Sequence, residues 1–117
     1  MAMGTGRAAA LCMAVALAGC QTTQVNGVSV TPEEFGQWAG DTVFFADKCG
    51  IDTKGIDERI KAFSWKVSPG GFDHGRVYGY YSTRYAMNAA KLRKMVCPQS
   101  GLDGVQRNWN QLLLELR

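Results

Sequence analysis

Apolar residues recur along this chain at three- and four-residue steps almost throughout, the period of amphipathic helices packed on one face. Thr31-Pro32-Glu33-Glu34 has the form of a helix start, with Thr31 at the N-cap, Pro32 at the first helical position and Glu34 at capping-box spacing. Phe35, Trp38, Ala39, Thr42, Phe45, Ala46 and Cys49 then share a face, and Gly50 suits the position after the last turn. The pattern predicts a first helix over residues 32–49.

After a short connector, Ile56, Ile60, Phe63 and Val67 repeat at helical spacing behind Asp57 and Glu58, acids that suit a positive helix start. This predicts a second helix over 56–66, broken by Ser68-Pro69-Gly70-Gly71. Val77, Tyr81, Tyr85, Asn88, Leu92, Met95 and Val96 form the stripe of a third helix over 74–96, with Asp73 as its N-cap and Pro98 as its limit. Leu102, Val105, Trp109, Leu112, Leu113 and Leu116 predict a fourth over 102–116. No tract carries the alternation of a strand. The expected fold is all-α, a small bundle of about four helices in one domain spanning 31–117.

Two segments precede that domain. Gln21 to Val30 is polar and short-sided, and with Cys20 it reads as a tether over 20–30. Residues 1–19 follow the plan of a secretory signal, with one cation at Arg7 and an apolar run from Ala8 to Ala18 too short to cross a bilayer. Leu17-Ala18-Gly19-Cys20, at the end of that run, resembles the lipobox of bacterial lipoproteins, in which a leucine and two small residues precede a cysteine. The resemblance implies removal of 1–19, a thioether-linked diacylglycerol on Cys20 and acylation of the new amino terminus by a fatty acid such as palmitate. Gln21 stands where aspartate would signal inner-membrane retention, so the implied address is the outer membrane, on its periplasmic side. Two or more acyl chains hold a protein to a bilayer without any membrane-spanning helix.

The same resemblance sorts the cysteines. Cys12 leaves with the signal and Cys20 carries lipid, so Cys49 and Cys97 remain in an oxidising compartment, where they are expected to form one structural disulfide. On the expected elements the bridge joins the ends of the first and third helices.

Composition narrows the function. The whole chain carries a net charge of +3; cleavage after residue 19 removes one cation, Arg7, and none of the ten acids, leaving +2. That balance gives no footprint for nucleic acid. His74, the single histidine, follows Asp73, but adjacency alone does not make a relay. One histidine and two paired cysteines do not complete a zinc site. The expectation is a protein that is not an enzyme, with no cofactor, metal or small-molecule ligand implied.

The richest surface composition runs from Gly75 to Tyr85, and Arg76, Tyr78, Tyr80 and Arg84 are its candidate contact residues. They read two ways, as broad side chains closing the edge of the bundle or as a partner surface, since tyrosine and arginine are enriched at interfaces. The expected function is a non-catalytic outer-membrane lipoprotein acting as an interaction or structural module of the cell envelope, held to the membrane by lipid and touching another envelope protein. In layout the chain is also similar to periplasmic acid-stress chaperones of the HdeA type and to secretion-system pilotins, which makes a stress chaperone or an assembly factor the alternative. A small enzyme built on His74 ranks below both.

Overall fold

The computed structural model describes residues 23–25, 28–67 and 75–117. Its order is β1 (Thr23–Val25), β2 (Val28–Val30), α1 (Pro32–Lys48), α2 (Ile56–Val67), α3 (Arg76–Lys91), a short 3₁₀ turn (Gln99–Gly101) and α4 (Leu102–Glu115). The expected all-α bundle of four helices is the observed one. Its core draws Phe35, Ala39, Val43 and Ala46 from α1, Ile56, Ile60 and Phe63 from α2, and Val77 and Tyr81 from α3. Trp109, Leu112 and Leu116 close it from α4 and the residue that follows.

Local chemistry sets the ends of α1. Thr31 Oγ1 accepts from the Glu34 amide at 3.1 Å while Glu34 Oε1 accepts from the Thr31 amide at 2.9 Å, a complete capping box. At the other end Gly50 takes φ +77°, and the Ile51 and Gly50 amides bond back to Ala46 O and Asp47 O at 2.9 and 3.2 Å. That is a Schellman closure, which needs a residue without a β-carbon at the left-handed position.

Two expectations change. The segment read as a plain tether contains a hairpin in which Thr23 pairs with Val30, Gln24 with Ser29 and Val25 with Val28. Val25-Asn26-Gly27-Val28 is a strong two-residue hairpin signal between β-branched residues, and the helical reading overlooked it. β1 lies against α1 and α4, and Val30 packs onto the core.

The third helix stops at Lys91 instead of reaching 96, and Gly75 stands in its N-cap position in place of Asp73, which lies outside the described residues. Pro98 has no amide to return to the carbonyl four residues back. Lys48 Nζ donates to the Arg93 carbonyl at 2.9 Å, so that acceptor serves a neighbouring element rather than a further turn. Val96, placed on the core stripe by its spacing, is 78% exposed.

Cys49 and Cys97 are disulfide-bonded, with Cα atoms 4.7 Å apart across 48 positions. Cys49 caps α1 as expected. Cys97 sits on the irregular segment beyond α3 rather than on the helix itself, so the bridge ties the top of α1 to the α3–α4 connection.

The directions of the helices follow from their contacts. α1 and α3 are parallel, since Gly36 meets Val77 and Tyr80 while Gly40 meets Tyr81 and Arg84. A β-carbon built on Gly36 would lie 2.6 Å from both Tyr80 Cβ and Val77 O, so this approach exists because both positions are glycine. α2 is antiparallel to α3, with Ser64 beside Tyr78 and Asp57 beside Tyr81. α4 returns antiparallel to α1, bringing Arg117 beside Lys66 at the end of α2. The hairpin therefore shares one end of the bundle with the last turns of α2 and α4, and the disulfide marks the other.

Candidate contact site on the third helix

α3 is the helix on which the candidate side chains converge, and it sends them in three directions. Its inner face carries Val77 and Tyr81, both buried. The Tyr81 hydroxyl crosses to α2 and donates to Asp57 Oδ1. One turn on, Tyr85 donates to Asp47 Oδ2 of α1 at 2.5 Å, and the other oxygen of that carboxylate accepts from the Thr53 hydroxyl. These groups line a cleft of about 400 Å³ whose floor is Val43 and Ile56.

Burial, reinforced by the hydrogen bond to Asp57, raises the Tyr81 pKa far above that of an ordinary phenol. The bond to Asp47, with partial desolvation, raises Tyr85 to about 12. Both tyrosines are therefore neutral donors at physiological pH, and neither is poised to act as a base or nucleophile. The cleft is a clasp in which each phenol holds a carboxylate of another helix.

On the α1 side, Arg84 Nε donates to Asp41 Oδ1 at 2.8 Å and its Nη2 donates to Oδ2 at 3.3 Å, a two-pronged pair. Asn88 Nδ2 adds a third bond to Asp41 Oδ1 at 2.7 Å. The hydrogen bond to Asp41 pushes the Arg84 pKa upward, and the charge of Asp41 acts in the same direction. Of the four candidate contact residues, Arg84 is thus tied back onto the bundle.

The other three occupy the first turns of α3. The Tyr78 ring lies under Lys61 of α2, with Nζ 5.0 Å from its centroid, and the Tyr78 amide donates to Ser64 Oγ at 3.2 Å. Tyr78 also packs against the core, so it closes the α2–α3 seam. Arg76 stacks over Tyr80 with Cζ 5.8 Å from the ring, and Tyr80 leans on the bare backbone of Gly36. Arg76 and Tyr80 are both partly exposed, as are Tyr78 and Arg84, and the two pair with each other. The structure stacks Arg76 on Tyr80, turns Tyr78 toward α2 and bonds Arg84 to α1, so the four do not form one continuous strip.

Cys20, His74 and its neighbour Asp73 lie outside the described residues. Among the described residues no group of three or more histidine, cysteine or carboxylate side chains is placed to hold a metal ion. None of the described helices is long and apolar enough to cross a membrane.

Sequence reasoning missed the acidic partners. Asp41 and Asp47 carry no signal in the apolar period and Asp57 reads only as an acid at a helix start, yet each receives a side chain from α3. It also missed Gly36-x-x-x-Gly40, a small-residue spacing that permits close helix approach and was visible in the chain. With this geometry in hand, comparison with known proteins adds no assignment: no family model, curated protein or solved structure matches the chain.

Proposed function

We propose that this chain is a bacterial lipoprotein, acylated on Cys20 and held at the periplasmic side of the outer membrane, whose bundle works by contact with another envelope protein rather than by catalysis. The observation that carries the reading is the lipobox Leu17-Ala18-Gly19-Cys20 behind an apolar run of signal-peptide length. The bundle adds support, because its polar α3 side chains are engaged in helix-to-helix bonds, as Tyr81, Tyr85 and Arg84 illustrate. The stacked pair Arg76 and Tyr80 is the contact surface in this reading, with Arg84 bonded to Asp41 one turn further along α3.

The test has two arms in the native envelope. Radiolabelled palmitate is expected to enter the wild type and not Cys20→Ser. Crosslinking with mass spectrometry is expected to find an envelope protein on α3 and to lose it in the Arg76→Ala, Tyr80→Ala double variant at unchanged helix content. Label in Cys20→Ser equal to wild type sinks the anchor, and undiminished crosslinks in the double variant sink the surface.

A second reading draws on a different observation. The joints of α3 to α1 and α2 run through polar bonds to three carboxylates, Asp41, Asp47 and Asp57, as well as through apolar packing. Together with the likeness in layout to acid-stress chaperones, this makes an acid-opened chaperone the alternative. A circular-dichroism and dye-binding titration from about pH 7 to about pH 2, the range in which carboxylates protonate, decides it. An unchanged domain removes the chaperone reading.

A further inference from the structure

The docked hairpin alters what a lipid on Cys20 would do. We propose that the short tether holds the hairpin end of the bundle against the bilayer surface, with the disulfide end pointing away. The proposal rests on the lipid-anchor reading above.

A lipidated cysteine followed by a free segment to Val30 would let the domain wander a few tens of ångströms from its membrane. The pairing of Thr23–Val25 with Val28–Val30 removes most of that freedom, because the strands belong to the folded body and lie against α1 and α4. Only three Cα-to-Cα steps separate Cys20 from Thr23, a reach of about 11 Å at full extension. The hairpin end must then stay within about that distance of the headgroups, at an effective concentration far above that of a free domain. Since α1 has 17 residues, its far end stands about 25 Å higher when the helix is upright.

The side chains at the tethered end suit a lipid interface. Trp65, 53% exposed, and Lys66 lie in the last turn of α2, with exposed Lys61 one turn earlier. Half-exposed Leu114 and exposed Arg117 lie at the end of α4, where the Arg117 carbonyl accepts from Lys66 Nζ at 3.1 Å. Tryptophan and lysine are the residues that settle at the boundary between acyl chains and water. Glu33, Glu34 and Glu115 share this end, so covalent reach rather than net charge supplies the proximity. At the opposite end Lys54, exposed beside Gly55, marks the remote position.

The experiment uses the full lipidated protein in vesicles of phosphatidylethanolamine and phosphatidylglycerol doped with a paramagnetic nickel-chelating lipid. A nitroxide is placed in turn at Lys66→Cys and Lys54→Cys, and its relaxation by the headgroup nickel is measured. Relaxation at 66 is expected to exceed that at 54 several-fold. Equal values, or the reverse order, overturn the proposal. Ala62→Cys, also exposed on α2, replaces Lys66→Cys if the latter fails to regain native helix content. A Gly/Ser insertion of about ten residues between Gln21 and Thr22 is expected to abolish the contrast. A contrast that survives the insertion overturns the role of the tether. The mass of the amino-terminal peptide separates the two layers of argument. An unacylated Cys20 brings down the anchor and this inference together, whereas acylation with equal relaxation brings down the inference alone.

Discussion

Gly40 lies so close to Arg84 that a β-carbon at position 40 would stand 2.7 Å from Arg84 Cβ and 2.8 Å from the Tyr81 carbonyl oxygen. With Gly36 one turn earlier, it makes the α1–α3 contact a backbone-to-backbone seam. Directly beside that seam Arg84 turns back to Asp41, so a close backbone approach and the two-pronged pair occur together.

Gly40→Ala is expected to destabilise the domain by about 1–3 kcal/mol, because the clash includes a carbonyl that moves only if a helix moves. Gly79→Ala on α3 is expected to do the opposite. Nothing lies within 4 Å of a β-carbon there, and alanine gains about 0.5–1 kcal/mol over glycine inside a helix. Thermal unfolding followed by circular dichroism checks both, and a shift of the same sign for the two would refute the seam.

Removing the disulfide by Cys49→Ser with Cys97→Ser is expected to cost about 2–5 kcal/mol, the usual range for a native disulfide in a small domain. The loop is long, 48 positions, so the unfolded chain gains much freedom when it opens. Urea denaturation of the double variant measures the loss, and a midpoint within error of wild type would contradict it.

Alkaline pH should weaken the fold through its tyrosine clasps. The Tyr85 pKa is raised from 10.0 to about 12, so the unfolded chain loses this proton first. The associated stability is present below pH 10 and falls as pH rises toward 12, where native Tyr85 itself ionises. Tyr81, also shifted upward, contributes in the same direction. Urea midpoints from about pH 8 to about pH 12, spanning the tyrosine range, are expected to drop less steeply for Tyr85→Phe than for wild type. Parallel curves would show that Tyr85 does not carry the effect.

Thr31→Ala removes one half of the capping box and leaves the Glu34 amide without its 3.1 Å acceptor. The expected cost is about 1 kcal/mol, seen as a lower melting temperature with unchanged helix content at room temperature. Thr31→Ser, which keeps the acceptor oxygen, should stay near wild type. Equal losses in the two variants would argue against the cap.

The helices were legible because each carries its signal in neighbouring residues. Thr31-Pro32-Glu33-Glu34 announces the start of α1, Gly50 its end, and Ile56, Ile60 and Phe63 the buried face of α2. The candidate contact residues were legible only in composition. Arg76, Tyr78, Tyr80 and Arg84 look alike in a list of surface residues, and their separation into stacked pair, seam and strut depends on Asp41, Lys61 and Gly36 across the helix gaps. The third helix was overextended for a related reason. Periodicity through Val96 is a local property, whereas the capture of the Arg93 carbonyl by Lys48 comes from 45 positions away.

The sequence by itself determined four amphipathic helices and the cap and stop of the first. Those features depend on backbone preferences and apolar spacing within a few residues, which a linear chain displays. The tertiary structure alone decided that the amino-terminal hairpin folds back onto α1 and α4, that glycines 36 and 40 admit α3, and that Tyr81, Tyr85 and Arg84 each hold an aspartate of another helix. Such pairings join positions about 24 to 43 residues apart and exist only when packing brings the elements together.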